Sequence, residues 1–456
     1  MGAPSAPSWR TWHPLGHVPG FLADPVGLFS TARERHGDIV AMRLFHRRTL
    51  LVSAPAAVQR VLVGNARNYI KNTPGYRVLR ILLGQGLVTA EGEDWKRKRR
   101  IANPAFHRRC LEGFVAQMDA ASAAACERWA AEGDVRRDLA EDMTRLTLQI
   151  AGETLFHVDL SADSDEVSAA VRVALDGFNQ LVSSPVPFAH KLPTERGRRM
   201  RGAVADLDRV VHGIIQARRS APEPVADLLG MLMATEDDET GTVLSDAELR
   251  DEVVTMLLAG HETTANALAW TTWLLGTHPD IAAAAAAEVD AVAPEGPVGF
   301  DVLPQLGLLR RVFLESIRVY PPVWLVARQA VEDDVLAGHR VPAGTWVFLS
   351  PYVQHHHPEH WPEPARFDPD RFLPEASTGR VPGAYIPFST GARKCIGDRF
   401  AEAEALVVLA HLLRRFRIVL DDPGTPPGKV ASVTLRPRGG LPARLVPRAG
   451  AGAAGG

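Results

Sequence analysis

The run Phe388-Ser-Thr-Gly391-Ala-Arg393-Lys394-Cys395-Ile-Gly397 limits what this chain can fold into more than any other stretch. A single cysteine stands between two glycines and close behind an arginine. The apolar segment Ile396 to Phe416 follows at once. The pattern predicts a glycine-rich loop that delivers one sulfur to a helix N-terminus. There the peptide dipoles and free N–H groups lower a thiol's pKa. The glycines let the backbone approach a large flat body that a Cβ would obstruct.

A second segment is nearly as restrictive. Ser245-Asp-Ala-Glu248 is a capping box, in which Ser and Glu reciprocally satisfy free N–H groups at a helix start. The helical pattern then runs to about Gly276, roughly 45 Å at the standard rise and enough to cross a domain. Its middle reads Ala259-Gly260-His261-Glu262-Thr263-Thr264. A mid-helix glycine costs about 1 kcal/mol relative to alanine. Adjacent threonine hydroxyls can bond to backbone carbonyls and loosen the ladder. His261 has no second ligand on its face and is expected to pack or hydrogen-bond.

The rest of the chain reads as helix with a little strand. Asp38–Leu44 and Thr49–Ser53 are strand-like, and 114–292 is almost wholly helical, including Asp119–Ala131, Leu139–Phe156 and Val204–Gln216. Ser183-Ser184 with Pro185, Pro187 and Pro193 marks a breaker-rich connection. After Tyr320 come short strands and turns, with Val335–Ser350 expected as a hairpin turning near Ala343-Gly344. Helix returns after Cys395. The expected class is mainly α with a minor β region.

A lone anionic sulfur in a basic loop suits haem iron, where a Cys thiolate pushes electron density toward O–O cleavage. The loop resembles the haem-binding loop of the cytochrome P-450 family, Phe-x-x-Gly-x-Arg-x-Cys-x-Gly, at every fixed position. The element pattern resembles that family's architecture over essentially the whole chain. The resemblance implies a single haem-binding catalytic domain, 11–447, between a flexible N-terminus, 1–10, and a low-complexity tail, 448–456. It implies haem b, with Cys395 as axial ligand of the iron and Phe388, Gly391, Arg393 and Gly397 shaping the loop around it.

Further residues follow from the same resemblance. Glu262 and Thr263 match the family's acid–alcohol pair, with Glu where many relatives carry Asp. Small Ala259 and Gly260 leave room for dioxygen. Trp95 and Arg99, four apart on one helix face, match the propionate-contacting helix. Arg393 is a second propionate donor and Arg328 a third. Glu315 and Arg318 match the Glu-x-x-Arg motif and Arg371 its third member, a buried ion network with a folding role rather than a catalytic one.

Composition narrows the partners. The 456 residues carry a net charge of −2, with 46% hydrophobic and 23% charged side chains, which argues against nucleic acid. The three cysteines, Cys110, Cys126 and Cys395, form no CxxC pair, as expected in a reducing cytosol. Met1 to Arg10 lacks the apolar region of a signal peptide, and Ala6 breaks the myristoylation motif that Gly2 would begin. No stretch is long and apolar enough to span a bilayer. A cytoplasmic location follows as the expectation. His355-His356-His357 looks like a metal cluster, but consecutive residues cannot all face one ion in regular structure.

The implied function is a haem-thiolate monooxygenase that inserts one oxygen atom from dioxygen into a hydrophobic substrate, by hydroxylation or epoxidation. Pocket segments are expected at 74–83, 178–188, 255–263 and 322–326. Their Leu, Val, Phe and Trp content points to a lipid, terpenoid or polyketide. No reductase is expected to be fused, so a separate ferredoxin and ferredoxin reductase would supply electrons. Lys96–Arg100, Arg108 and Arg109, with Lys394 and Arg399, would form a cationic docking face. The competing readings are a peroxygenase or isomerase that needs no external electrons, and a non-catalytic haem sensor or carrier.

Overall fold

The long helix occupies Asp246–Thr277 without a break, and its capping box is formed: Ser245 N donates to Glu248 Oε2 at 2.9 Å and Glu248 N to Ser245 Oγ at 3.4 Å. Thr263 Oγ1 donates to the Ala259 carbonyl (2.8 Å), Thr264 Oγ1 to Gly260 (3.2 Å) and Asn266 Nδ2 to Glu262 (2.8 Å). These side chains add to the ladder without opening it. The helix packs on Leu139–Phe156, Gly307–Val319, Asp398–Arg415 and Glu195–Arg219, and so forms the axis of the main apolar core. The computed structural model describes residues 3–160, 194–220 and 227–448, with 170, 171, 173, 177, 178, 181, 182 and 192. The connection expected around Pro185, and the tail from Ala449 on, lie outside them.

A second apolar cluster lies on a five-stranded sheet ordered Ile39–Leu44, Arg47–Val52, Trp346–Leu349, Val326–Ala330 and Tyr69–Ile70. Only the Arg47–Val52 and Trp346–Leu349 pairing is parallel. The expected Val335–Ser350 hairpin is shorter. Asp334–Leu336 pairs with His339–Val341 around Ala337 and Gly338, whose positive φ values of 45° and 81° make the tight turn. Ala343-Gly344 then turns the chain out of that hairpin and into the larger sheet.

Described residues near both chain ends are tied to the fold. Trp9 N donates to Ala41 O (2.9 Å) and Arg340 N to Pro4 O (2.9 Å), which lays residues 4–9 along the sheet. Arg448 is held by Asp290 through a 2.6 Å ion pair.

Glu315, Arg318 and Arg371 do meet. Arg318 forks onto Glu315 at 2.6 and 2.7 Å, and also donates to the carbonyls of His355 (2.8 Å), Pro364 (2.8 Å) and Arg366 (3.0 Å). Arg371 Nε lies 3.4 Å from Glu315 Oε1, which also accepts from Asp368 N at 3.0 Å. Glu315 and Arg318 are fully buried. This set fastens helix Gly307–Val319 to the irregular segment that leads into the cysteine loop.

Candidate active site

A cavity of about 510 Å³ opens between the long helix, helix Pro74–Leu83, strand Val326–Ala330, the cysteine loop and the turn at Ala431–Thr434. Its size is that of a small-molecule site. Cys395 lines it, held by a bond from its own N–H to Phe388 O at 2.9 Å, three residues before helix Asp398–Arg415. The thiol does not show the lowered pKa expected from the helix terminus. Burial pushes it up, and the Gly397 N–H and nearby Arg99 and Lys394 only partly oppose this. Desolvation outweighs the dipole here.

The loop glycines have separate roles. Gly391 adopts φ +73°, and a Cβ there would meet Leu62 O at 2.3 Å, so this glycine sets the loop's shape against the neighbouring backbone. Gly397 and Phe388 line the cavity, whereas Gly391 does not.

Cations gather along one edge of the cavity. Arg393 donates to Ala90 O (2.8 Å), pairs with Glu91 (3.1 Å) and lies 3.9 Å above the Trp95 ring. Arg328 donates to the Tyr76 hydroxyl at 3.2 Å, and Lys71 Nζ to Val88 O at 2.7 Å. Burial, with Arg328 and Arg393 nearby, drives the Lys71 pKa well below its usual value. Burial also brings Arg393 down to about 10. Three cations line this edge, and Glu91 is the carboxylate paired among them. Such a set favours an anionic ligand with more than one charge.

The far wall is built differently. Glu262 and Thr263 line the cavity beside apolar Leu79, Leu82, Leu258 and Val433. Glu262 Oε1 accepts from Thr434 Oγ1 (2.8 Å) and Asn266 Nδ2 (3.1 Å). Behind this wall Glu404, on the cysteine helix, is fully buried with no hydrogen-bond partner on either carboxyl oxygen. Burial raises its pKa well above the carboxylate range.

A sequence model of the cytochrome P450 family matches residues 6–441. The chain is a cytochrome P450. It is 36% identical to the cyclooctatin synthase of Streptomyces melanosporofaciens over 92% of this chain and 90% of the relative. It is 34% identical to the pentalenene oxygenase of Streptomyces avermitilis, over 92% of each. The heme domain of cytochrome P450DA superposes with a TM-score of 0.89 at 30% identity, covering 98% of this chain and 99% of the other. Retinoic acid-bound cyanobacterial CYP120A1 gives 0.87 at 28% identity, covering 98% and 100%. The P450 is therefore a monooxygenase whose cofactor is haem b. The cavity fits that group: a lone thiol faces it, and the Lys71, Arg328 and Arg393 edge suits two propionates.

Other residues singled out in the P450 sequence lie nearby but do not line the cavity. Trp95 lies beneath the Arg393 guanidinium, and Arg99 donates to Lys394 O at 3.0 Å. The basic run is largely neutralised by carboxylates of its own helix and of the segment around 237–248. Lys96 pairs with Glu93, Arg97 with Glu248, Lys98 with Asp94, and Arg100 with Asp237 and Glu239. The Arg97–Glu248 pair staples helix Gly92–Ala102 to the start of the long helix, and Arg100 ties it to the segment before that helix.

The three histidines diverge. His355 Nε2 accepts from Ile386 N (3.0 Å), and His356 stacks on Tyr352. His357 has Glu359 and His360 beside it, but its Nε2 bonds to Asp38 (2.9 Å) and its Nδ1 accepts from Glu359 N (3.2 Å). Both of its nitrogens are engaged. His261 bonds to Leu257 O at 2.8 Å, as expected of a packed residue.

Proposed function

We propose that this P450 monooxygenase oxidises a terpenoid-type hydrophobic substrate, in preference to a linear lipid or a polyketide. The observation that carries the reading is the cavity, whose lining is mostly apolar and whose charged groups are confined to the cationic edge and Glu262. Two relatives are named for cyclooctatin and pentalenene, and a solved neighbour is titled as binding retinoic acid.

Cys395 is the proposed axial ligand, with Phe388, Gly391 and Gly397 shaping its loop. Arg393 and Arg328, joined by Lys71, hold the propionates. Trp95 stiffens Arg393, and Arg99 holds the loop carbonyl at Lys394. Bound haem supplies dioxygen activation and oxidising power, while the protein supplies binding, orientation and protons. The apolar wall excludes water and orients the substrate. Glu262 acts as proton donor, and the Thr263 hydroxyl, anchored on Ala259 O, holds the relaying water. The catalytic domain is taken as 11–447, in the cytoplasm, with electrons from a separate ferredoxin and its reductase. Since Arg97, Arg100 and Lys394 carry carboxylate partners (Glu248, Asp237 and Asp398), exposed Arg399 remains as the ferredoxin-facing charge to reverse.

Titrating the ferric enzyme with cyclooctat-9-en-7-ol, pentalenene and retinoic acid tests the substrate class. A low- to high-spin shift at micromolar terpenoid is expected, and a flat response to all three overturns it. Cys395→Ser should lose the red-shifted Soret band of the reduced carbon monoxide complex, while Cys110→Ser and Cys126→Ser retain it. Thr263→Ala should release peroxide in place of product. Turnover driven by peroxide but not by ferredoxin would favour the peroxygenase reading instead.

A further inference from the structure

We propose that Thr434 is a positioning residue for Glu262, tying the proton-donating acid to the turn that closes the substrate cavity. The inference rests on the reading of Glu262 as that acid. Thr434 is buried and lies far from Glu262 in sequence, yet its Oγ1 donates to Glu262 Oε1 at 2.8 Å. Asn266 Nδ2 donates to the same oxygen at 3.1 Å and reaches Thr434 Oγ1 at 3.3 Å. A hydroxyl has one hydrogen to give and lone pairs to accept with. Thr434 gives its hydrogen to Glu262 Oε1, and Asn266, with one hydrogen on Glu262 O at 2.8 Å, shares the other between Glu262 Oε1 and Thr434 Oγ1.

Two consequences follow from the geometry. Both donors fall on Oε1, and Oε2 has no hydrogen-bond partner among the described residues. One oxygen is thus an anchor, and the other is left to exchange a proton. The extra methylene of Glu over Asp gives the carboxylate the reach to meet a side chain of a separate segment. The departure from the family's usual acid therefore has a structural counterpart in Thr434.

The turn itself is fixed from behind. Trp324 Nε1 donates to Ser432 O (2.8 Å), Trp270 Nε1 to Leu435 O (3.0 Å), and Leu435 N to Pro322 O (2.8 Å). Between these fixed points Ser432, Val433 and Thr434 all line the cavity. A substrate that presses on Val433 displaces the residue next to Thr434, and so reorients the acid. Substrate fit and proton delivery are coupled through one hydroxyl.

The carbon–oxygen stretch of the reduced carbon monoxide complex tests this on the substrate-free holoenzyme, because that band responds to polar groups in the distal cavity. Glu262→Gln should move it. Thr434→Val, nearly isosteric, should move or broaden it by at least half as much, with an unchanged thermal midpoint. Thr434→Ser should restore the wild-type band. Thr434→Val placed on Glu262→Gln should add nothing, as coupled residues require. A band unmoved by Thr434→Val but moved by Glu262→Gln overturns the positioning role and leaves the proposed function intact. A band unmoved by Glu262→Gln removes both the distal acid and the role of Thr434. If Thr434→Val lowers the thermal midpoint, the serine variant decides: a wild-type band upholds the hydroxyl, and a displaced one overturns it.

Discussion

The basic side chains around Glu315 and those along the cavity edge are treated differently. Around Glu315, the two arginines meet a carboxylate, and Arg318 also meets three backbone carbonyls, all within 3.4 Å. Along the cavity edge, Lys71, Arg328 and Arg393 have one carboxylate, Glu91, with three carbonyls and a phenol between them. In the first set every N–H of Arg318 has an acceptor without any ligand, and losing a member strands a buried charge. The second carries surplus positive charge, and burial holds the Lys71 and Arg393 pKa values down. A complete network marks a folding device. A surplus of one sign marks a place for something of the other sign.

The largest effect is expected where the network is complete. Arg318→Ala should cost about 3–5 kcal/mol, the usual loss on breaking a buried pair. Urea denaturation would read this directly. Arg318→Lys should recover little, because a lysine cannot reproduce the fork onto Glu315 and the carbonyl bonds together. A loss below about 1 kcal/mol for Arg318→Ala would place this network among ordinary surface pairs and end the contrast.

At the cavity edge the sign should split. Lys71→Met removes a buried cation whose lowered pKa means that folding disfavours its charge. The stability this costs grows as pH falls from the unfolded lysine pKa toward the lowered folded one. Haem-free Lys71→Met should therefore be at least as stable as wild type at neutral pH. The same variant should release haem faster, by about tenfold if one charge-assisted bond is lost. Transfer to apomyoglobin measures that rate. Destabilisation of the haem-free chain with no change in release would show that Lys71 belongs to the folding class.

How far the sequence discloses these sites depends on how local their chemistry is. The cysteine loop was legible because Phe388, Gly391, Arg393, Cys395 and Gly397 share ten consecutive positions. The long helix was legible because a capping box and an apolar run sit side by side. Lys71, Thr434 and Glu404 carry no local signature in the sequence, because each reaches the site from a different segment. The basic run misled for the same reason. Glu248 and Asp237, which neutralise Arg97 and Arg100, stand well over a hundred positions away. The hairpin was misplaced because Ala343-Gly344 looked the better turn, while Ala337, an alanine at φ 45°, made the actual one.

A third buried charge sharpens the contrast on the carboxylate side. Glu252, on the long helix, is 1% exposed; Oε2 accepts from Leu87 N at 3.1 Å and Oε1 has no partner. It helps clamp the Gly84–Leu87 loop, together with Asp251, which accepts from Gln85 N at 2.7 Å. Burial raises its pKa from 4.5 to about 7, with Asp251 and Asp94 adding to the rise while the Leu87 N–H and Lys98 oppose it. For a carboxyl raised in the folded state, stability is lost as pH climbs from the unfolded value to the folded one. The window here is about pH 4.5 to 7, and the ceiling is about 3 kcal/mol. Loop adjustment should reduce the observed effect to about 1 kcal/mol. Glu252→Gln keeps an oxygen acceptor for Leu87 N and cannot ionise. Its stability relative to wild type should therefore improve between pH 5 and pH 8, most steeply near pH 6. Urea midpoints at four pH values would show this as a widening gap. A constant gap would mean that Glu252 is ionised at little cost, with Lys98 offsetting its burial, and would remove it from the incomplete class.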